Sequence, residues 1–551
     1  MNKMFPIRSL KVALIFVIGL ASFHPAIATA QAGYRIAGTV VNAVGGNPLA
    51  RARVTIFEVS DRQNTRFVVT SEDGHFEFSQ LAPGKYSLQG AKRGFIQSAY
   101  DEHEGFSTAI VTGAGLDTEH LVLRLPPFAV ITGKVLDESG EPLRQAAVSL
   151  YREDRQTGMG RIQKVQGTRT DDRGSYELVG LPSGNYFLAV SATPWYALHP
   201  ASVENKAEDT PSNFDPALDS AYPVTYYKDA TAPNDATPIP IRGGDHLEVD
   251  LHLNPVPALR LLFHPPDDGK HGFNSPILQE PAFDGMEQVP YTGAVQMVSP
   301  GVYAMVGIPA GHYSVRTYGS SADGSPLSNA IEMDITQDGQ EIDPTKGEPA
   351  STVRASVHLA EPQPRPLVIA LRNNKMRVVS AGEVSDKGEV ELQNVPPGKY
   401  EVLAQGPGKA YAVVAVSTEG GKSVSGNVLN VTPGSSPTVS LTILGSSVKV
   451  EGVVKRNGQP VAGAMVVLVP KNPEFNHRQY RRDQSDQDGS FALPGVIPGT
   501  YTVVAIEDGW DLDWSSPGVI AHYSQHGQPV TVEGLNKSSI PLPNPIELQQ
   551  K

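Results

Sequence analysis

The sequence predicts an all-β protein, a tandem array of five β-sandwich domains that follows a signal peptide. Three observations predict this class: a five-fold internal repeat, short alternating apolar runs between Gly/Pro turns, and no helical periodicity of useful length. Each repeat has a turn glycine, a second glycine ten residues later and a tyrosine two residues after that. The five sets are Gly74, Gly84 and Tyr86; Gly174, Gly184 and Tyr186; Gly301, Gly311 and Tyr313; Gly388, Gly398 and Tyr400; and Gly489, Gly499 and Tyr501.

Residues 1–30 have the pattern of a secretory signal peptide. Three basic residues accompany a short apolar run, and the small residues Ala28 and Ala30 form a cleavage pattern. We expect cleavage between Ala30 and Gln31 and a mature protein that is periplasmic or secreted. No later stretch is apolar enough to predict a membrane span in the mature chain.

Composition restricts the partners and the chemistry. Cleavage would change the formal charge from −13 to −16, with 42 basic and 58 acidic side chains, and such a surface repels nucleic acid. The absence of cysteine excludes disulfides, zinc–thiolate sites and a thiol nucleophile. Each domain must therefore be stabilised by its own core, which about a hundred residues can supply.

Each repeat begins with a strand, a turn and a second strand, as in residues 133–135, 141–143 and 147–150. An acidic turn that ends in the first glycine follows, and an alternating strand comes after it. A Pro/Gly turn then leads to the repeat tyrosine. We expect the tyrosine ring to lie in the core and its hydroxyl to bond nearby backbone, a structural role and not a catalytic one.

Alternating strands and short proline or small-residue joints close the repeats and place the boundaries. The predicted domains are 31–127, 128–256, 257–349, 350–447 and 448–551, and the second has a long loop at 197–240. Joints this short predict a semi-rigid row of domains. The long loop, which carries three tyrosines, is interpreted either as a contact surface or as a linker packed on its own domain.

The combined pattern resembles a known family. Gly-x-Val, then Pro-Leu-x-x-Ala-x-Val, then Thr-Asp-x-x-Gly-x-aromatic, then Leu-x-Pro-Gly-x-Tyr is similar to the carboxypeptidase regulatory-like domain. The resemblance covers 34–95, 129–190 and 449–508, whereas 258–340 and 352–445 keep only its second half. It implies immunoglobulin-like or prealbumin-like sandwiches, related to the starch-binding-like and Cna B-type domains. It also implies no catalysis, because the domain is an appendage beside the catalytic domain of the peptidases that carry it.

No residue is predicted to be catalytic. The histidines lack the spacing of a zinc peptidase, and no Gly-x-Ser-x-Gly elbow occurs. His103 and Glu104 are adjacent, but we expect both to face solvent. The sequence therefore predicts a protein that is not an enzyme.

The acidic turns allow two interpretations. Their carboxylates bond their own backbone in turns, or they supply oxygen ligands to calcium, although no complete calcium loop is present. Turn formation is the favoured interpretation, and no other cofactor is predicted. The calcium hypothesis rests on Asp171, Asp172, Asp486 and Asp488.

Tryptophans give the remaining site hypothesis. All three lie just after the strand that carries the repeat tyrosine, and acidic residues accompany two of them. Exposed indoles with nearby carboxylates are typical of sugar-binding sites, but the same rings could instead cap the core. The residues of this candidate carbohydrate site are Trp510, Asp511, Asp513, Trp514, Trp195 and Tyr196.

The leading hypothesis is a non-catalytic exported protein used for binding or structural spacing at a bacterial cell envelope. Its partner would be an envelope protein, which could add a strand to an exposed sheet edge, or a polysaccharide. The alternative is a carbohydrate-binding accessory protein that uses exposed tryptophans. A peptidase-associated protein is a distant third hypothesis.

Overall fold

A computed structural model describes residues 33–113, 115–156, 158, 160–200, 215–264, 276–288, 295–320, 326–342, 348–374, 377–418, 424–473, 476–533 and 537–551. The predicted signal peptide and its cleavage site lie outside these residues. Sheets are the dominant structure, and hydrogen-bonded pairing groups the strands into five sets, called modules 1 to 5 below. In the described part of the chain, no helix is long and apolar enough to span a membrane.

Module 1 follows the alternation of its sequence closely. Phe76 and Phe78 point inward from one strand and pack against Leu88 from the opposite sheet. One sheet has the order β4-β1-β8, and the other has the order β3-β2-β5-β6 with β7 also paired to β5. The strands are β1 (Tyr34–Asn42), β2 (Arg53–Glu58), β3 (Asp61–Val69), β4 (His75–Leu81), β5 (Gly84–Ala91), β6 (Ser98–Ala99), β7 (Ile110–Thr112) and β8 (Leu121–Leu125).

Module 2 repeats this arrangement and adds strands from its long loop. The described parts of that loop, 197–200 and 215–240, contact two modules. Tyr222 and Ile239 belong to the core of module 2, while Tyr226 meets Phe283 of module 3 with ring centroids 5.5 Å apart. Short 3-10 turns occur at Pro216–Leu218 and Pro233–Asp235. The strands are β9 (Ala129–Leu136), β10 (Ala147–Asp154), β11 (Arg161–Arg169), β12 (Ser175–Leu181), β13 (Gly184–Ser191), β14 (Ser220–Ala221), β15 (Thr225–Tyr226), β16 (Ile239–Ile241), β17 (His246–Glu248), β18 (Leu251–His252) and β19 (Val256–Pro257).

Module 3 has two sheets although its sequence shows only half of the repeat pattern. They have the orders β23-β24-β20-β27 and β22-β21-β25-β26-β28, and Tyr313 and Leu261 lie between them. The strands are β20 (Leu259–Phe263), β21 (Ile277–Ala282), β22 (Gly285–Gln288), β23 (Gln296–Ser299), β24 (Val302–Ile308), β25 (Gly311–Ser320), β26 (Pro326–Ile335), β27 (Gln340–Ile342) and β28 (Glu348–Pro349).

Module 4 likewise has two sheets, in the orders β32-β29-β37-β34-β35 and β31-β30-β33-β36. Its core is built from branched aliphatic side chains around Tyr400. The strands are β29 (Ser351–Leu359), β30 (Val368–Arg372), β31 (Val378–Glu383), β32 (Glu389–Val395), β33 (Gly398–Gln405), β34 (Ala410–Thr418), β35 (Val424–Ser425), β36 (Val428–Val431) and β37 (Thr438–Ser446).

Module 5 joins its two sheets through one strand and has two hydrophobic clusters. The joining strand pairs with β38 along one half and with β43 along the other. A short helix α1 (Pro517–Ser524) and 3-10 turns at His477–Gln479 and Gly509–Asp511 cover the second cluster. The strands are β38 (Lys449–Arg456), β39 (Gln459–Pro460), β40 (Met465–Pro470), β41 (Arg481–Gln484), β42 (Ser490–Leu493), β43 (Gly499–Ile506), β44 (Gln528–Val532), β45 (Ser539–Pro541) and β46 (Ile546–Gln549).

One pairing rule is common to all five modules. The first strand pairs antiparallel with the strand that follows the turn glycine, and it pairs parallel with a closing strand of the module. Because the closing strand lies beside the opening strand, each module is complete before the next begins. The all-β, immunoglobulin-like prediction from sequence is confirmed.

Contacts between modules correct the expectation of a simple row. Module 5 contacts module 4, its neighbour in sequence, and it also contacts modules 1 and 2. A backbone hydrogen bond joins the first and fifth modules, since the Gln487 amide donates to the Ala109 carbonyl at 3.0 Å. Linker length limits the distance between neighbouring domains only, so it gives no information on such contacts.

Candidate functional site: the Trp510/Trp514 junction and the exposed Trp195

The repeat tyrosines have the geometry that the sequence predicts. All five rings are buried in the cores of their modules. Each hydroxyl donates a hydrogen bond to the carbonyl four residues earlier, at 2.7 to 3.1 Å. The bond ties the returning strand to the Pro/Gly turn and satisfies the one polar atom of a buried ring.

The two glycines of each repeat are required for different structural reasons. The first has a φ between 68° and 79° in all five modules, the left-handed conformation that favours glycine. The second lies under the ring of the repeat tyrosine, so that a Cβ on Gly499 would lie 3.2 Å from the Tyr501 ring. Ring packing therefore accounts for the second glycine in modules 3, 4 and 5, where a Cβ would lie 3.1 to 3.3 Å from the tyrosine side chain, whereas in modules 1 and 2 that distance would be an ordinary 3.8 and 3.6 Å.

A buried hydroxyl four residues before the turn glycine is a repeat feature that the sequence reasoning missed. The Thr170 hydroxyl donates to the Leu143 carbonyl at 2.5 Å and accepts from the Ala146 amide at 2.9 Å. Thr70 and Ser485 make the same pair of bonds in modules 1 and 5. The fixed spacing to the glycine was visible in the sequence and could have revealed it.

Trp510 and Trp514 are buried, which corrects the hypothesis that both are exposed for sugar binding. Their exposed fractions are 8% and 6%, and both belong to the second hydrophobic cluster of module 5. The Trp510 ring stacks on His103 of module 1 with a centroid distance of 5.2 Å and an interplanar angle of 8°. His103 therefore does not face solvent, contrary to the sequence expectation.

Arg482 lies at the centre of this contact between modules 1 and 5, which is called the junction below. Its guanidinium carbon is 5.1 Å from the Phe106 ring centroid, 5.6 Å from that of Trp510 and 4.5 Å from that of Trp514. Its Nη1 is 2.7 Å from the Glu104 carboxylate, so Glu104 also is not free in solvent. A buried cation that touches three aromatic rings and one carboxylate is a strong contact between modules 1 and 5.

The acidic turn of module 5 binds an ammonium group and a backbone amide of module 1. The Asp486 carboxylate lies 2.5 Å from the Lys85 ammonium and accepts a hydrogen bond from the Ala109 amide at 3.0 Å. Burial raises the pKa of Asp486, while the bonds from Lys85 and Ala109 oppose that rise. Asp488 caps its own turn by accepting from the Ser490 amide at 3.0 Å.

The corresponding turn of module 2 bonds its own backbone. Asp171 accepts from the amides of Arg173 and Ser175 at 2.9 and 2.8 Å, while Asp172 is exposed. Both oxygens of Asp486 are therefore occupied by module 1, and one oxygen each of Asp171 and Asp488 accepts from the N–H groups of its own turn, whereas Asp172 is exposed. Within the described ranges, no group of three or more His, Cys, Asp or Glu side chains could hold a metal ion.

The two carboxylates between the tryptophans are ion-paired. The Lys551 ammonium lies 2.5 Å from Asp511 and lowers the pKa of that carboxyl. Asp513 reaches module 2, where its carboxylate lies 3.3 Å from the Arg155 Nε and accepts from the Gly160 amide at 3.1 Å. Asp513 therefore joins module 5 to module 2, whereas the Asp511 ion pair lies within module 5.

Trp195 differs from the other two tryptophans, because 82% of its surface is exposed. It meets Tyr196 edge to face, with ring centroids 5.9 Å apart. Tyr196 and Tyr222 both donate to the Glu138 carboxylate, at 2.5 and 2.7 Å. Burial opposes ionisation there, but the two hydroxyl donors lower the pKa of Glu138 below its ordinary value. The structure thus presents one open indole beside a fixed network of polar groups.

The comparisons with known families cover three of the five modules. Residues 35–115 and 130–219 each match the model of the carboxypeptidase regulatory-like domain family. Residues 447–526, which the sequence pattern places in the same family, match instead the second beta sandwich domain of BOS complex subunit NOMO1-like proteins. The carboxypeptidase regulatory-like domain is a non-catalytic kind of fold. No curated protein matches the chain.

The comparison with solved structures finds matches of low identity and low TM-score. The Bacillus anthracis TIE protein is 10% identical over 94% of this chain and 73% of its own, with a TM-score of 0.18. GBS52, the minor pilin of Streptococcus agalactiae, is 13% identical over 41% of this chain and 97% of its own, with a TM-score of 0.21. BcpA, the major pilin subunit of Bacillus cereus, is 10% identical over 75% and 99%, with a TM-score of 0.14. Similarity this low says nothing about what the present chain binds.

Proposed function

We propose that the chain is a non-catalytic, exported scaffold of a cell envelope, which holds its sandwich modules in a fixed arrangement and presents them to a binding partner. The observation that carries the proposal is the position of module 5, which contacts three other modules. It meets module 1 through the stacked Trp510 and His103 rings, module 2 through the partly exposed Arg155–Asp513 ion pair, and module 4 through the Arg478–Glu401 ion pair. Loosely tethered binding domains would have no need of such contacts.

Two further observations support this function. Three of the carboxylates that the sequence singled out, Glu104, Asp486 and Asp513, form contacts between modules, so their chemistry is used for assembly. The predicted signal peptide, which the structure does not describe, supports export.

The test uses the full chain with a C-terminal tag, expressed in a bacterial host. We expect the protein in the periplasmic or secreted fraction with Gln31 at its N-terminus, and we expect photo-crosslinking in whole cells to join it to an envelope component. Recovery in the cytoplasm with an intact N-terminus would contradict the export part. Turnover of peptide or glycoside substrates by the purified protein, lost on heat denaturation, would contradict the non-catalytic part.

A second candidate function, carbohydrate binding, is favoured by one observation, the exposed indole of Trp195. A flat aromatic face beside fixed hydroxyl and carboxylate groups suits a sugar ring. The measurement is co-sedimentation of the mature protein with a panel of insoluble polysaccharides and peptidoglycan. Trp195→Ala should abolish saturable binding, whereas Leu198→Ala, which removes an exposed apolar neighbour, should leave it unchanged. Equal binding by both variants and the wild type would reject a Trp195 site.

A further inference from the structure

A cavity of about 690 Å³ lies between modules 4 and 5. Strands β33 and β34 of module 4 form one wall, and residues 476–481 of module 5 form the other. Its volume falls within the range of about 300–1,000 Å³ that is typical of small-ligand sites. The lining includes the apolar or aromatic side chains of Tyr411, Ile497 and Trp514.

The charges that line this cavity are not balanced. Arg372, Arg478, Arg481 and Lys409 line it, and Glu401 is the one carboxylate among its lining residues. Lys409 is neutralised by an ion pair with Glu361, so three guanidinium groups remain for one carboxylate.

Both carboxylate oxygens of Glu401 already have partners. Its Oε2 accepts from the Nε and Nη2 of Arg372, at 3.1 and 2.6 Å. Its Oε1 accepts from the Asn427 amide at 3.0 Å and lies 3.2 Å from the Arg478 Nε. One carboxylate with both oxygens occupied cannot neutralise two guanidiniums.

Arg481 is held by neutral acceptors. Its guanidinium donates to four main-chain carbonyl groups, at 2.6 to 3.1 Å. These bonds fix its position without cancelling its charge. The carbonyls belong to Arg478, Tyr480, Pro494 and Gly495.

The electrostatics of Arg478 show the excess of positive charge. Burial, and then repulsion from Arg372 and Arg481, lower the pKa of Arg478 to about 10, and Glu401 only partly opposes this. The guanidinium remains protonated at neutral pH, in a cavity whose other fixed charges are mostly positive. An anion would relieve this repulsion, and a guanidinium fork matches the geometry of a carboxylate or phosphate.

We propose that the cavity between modules 4 and 5 binds a small organic anion, whose carboxylate or phosphate group contacts Arg478 and its neighbouring guanidiniums. Tyr411 and Trp514 supply the surface for the rest of the ligand. The inference shares with the scaffold function only the arrangement of modules 4 and 5, and it requires neither export nor an envelope partner. Since the chain carries a net charge of −13, a cationic cavity is a local departure from a surface that otherwise repels anions.

The experiment is titration of the full-length exported protein with matched probes, followed by thermal unfolding and tryptophan fluorescence. The probes are glucuronate against glucose, N-acetylalanine against its amide, and inorganic phosphate, so that sugar acid, peptide carboxylate and phosphate are distinguished. We expect at least one anionic probe to raise the melting temperature saturably while its neutral counterpart does not. Trp514 lines the cavity and should report the binding.

Three variants separate binding from folding. Arg478→Gln should weaken the binding at least about 10-fold, the loss expected for one charge-assisted hydrogen bond. Glu401→Gln should tighten it, because the internal competitor for the guanidiniums is removed. Arg354→Gln, which removes an exposed arginine paired to Glu391 in the same module, should bind as the wild type does.

Two results would overturn the proposal. One is the absence of a saturable effect of any anion on the wild type. The other is an equal effect on the wild type and on Arg478→Gln, which would show general ion binding elsewhere. Melting curves without ligand identify any variant that fails to fold, and in that case Glu401→Gln still decides the question by the direction of its affinity change.

Discussion

At the scale of single residues, the repeat is a set of hydrogen bonds that close each sandwich. The turn glycine permits the left-handed conformation, the tyrosine hydroxyl ties the next turn to its strand, and a buried hydroxyl four residues before the glycine joins two more segments. The tyrosine bond recurs in all five modules, whereas the buried hydroxyl occurs in modules 1, 2 and 5, and modules 3 and 4 have Met297 and Val384 at that position. The structural role of the glycine and the tyrosine explains why both are present in module 3, although the first half of the repeat is not recognisable there.

The buried hydroxyl should have a measurable effect on stability. In Thr170→Val the shape is kept, but the Leu143 carbonyl and the Ala146 amide lose their partner in a buried setting. We expect a loss of about 1–3 kcal/mol in the free energy of unfolding of module 2. Denaturant unfolding measures it, with Thr168→Val, near the end of the preceding strand β11, as the control. Equal stability of the two variants would show that the bonds contribute nothing.

A second residue-scale prediction concerns pH. Burial between modules 2 and 3 raises the pKa of Glu280 from 4.5 to about 7. Since the folded pKa is the higher one, the stabilisation is fully present below pH 4.5 and is lost as pH rises through about 7. The melting temperature of the unfolding step of modules 2 and 3 should fall across that interval.

Glu280→Gln should remove this pH dependence, since the amide cannot ionise. Glu287→Gln is the matched control, because Glu287 lies opposite Glu280 on the paired strand but is ion-paired with Lys164 at 2.9 Å. A wild-type melting temperature that does not change between pH 4.5 and 7, or that changes equally in Glu280→Gln, would contradict the assignment.

At the scale of elements, strand β41 and the turn after it form the module 5 side of the junction with module 1. Arg482 lies on this strand, Asp486 on the turn, and the two tryptophans on the segment that covers them. In module 1 the equivalent strand β3 is an edge strand with no such cover, and its Phe67 side chain is 67% exposed. The same element of the fold is therefore a free edge in one module and an interface in another.

Replacing Arg482 tests the junction. Arg482→Lys keeps the charge but loses the flat surface that three rings contact. A desolvated cation–π contact is worth about 2 kcal/mol, so we expect a melting temperature several degrees lower and a larger fraction of tryptophan fluorescence quenched by acrylamide. Arg456→Lys, at an exposed ion pair with Glu507 in the same module, should change neither quantity.

At the scale of the whole molecule, contact between modules 1 and 5 closes the chain on itself. The Lys85–Asp486 ion pair is part of this contact, and it is partly buried. Lys85→Glu would place two carboxylates against each other, at a cost of roughly 2 kcal/mol or more. We expect the radius of gyration in small-angle X-ray scattering to increase as modules 1 and 5 separate.

The charge swap is the control for this prediction. Lys85→Glu combined with Asp486→Lys should return the radius of gyration toward the wild-type value, because the pair is restored with its signs exchanged. Arg35→Glu, at an exposed pair with Glu77 in module 1, should leave it unchanged. A wild-type radius in the single variant Lys85→Glu would mean that this pair does not hold the modules together.

The sequence by itself determined the fold of each module, because the signals for a sandwich are local. Alternation of apolar residues, glycine at left-handed turns and a tyrosine after the second turn all act within about fifteen residues. Only the tertiary structure decided which tryptophans are buried and which are exposed. Trp510 and Trp195 occupy comparable positions after the tyrosine strand, yet one is covered by module 1 and the other faces solvent. Burial of a side chain between modules depends on which module surfaces come into contact, and here more than three hundred residues separate the contacting segments. The local sequence pattern carries no information about such a contact.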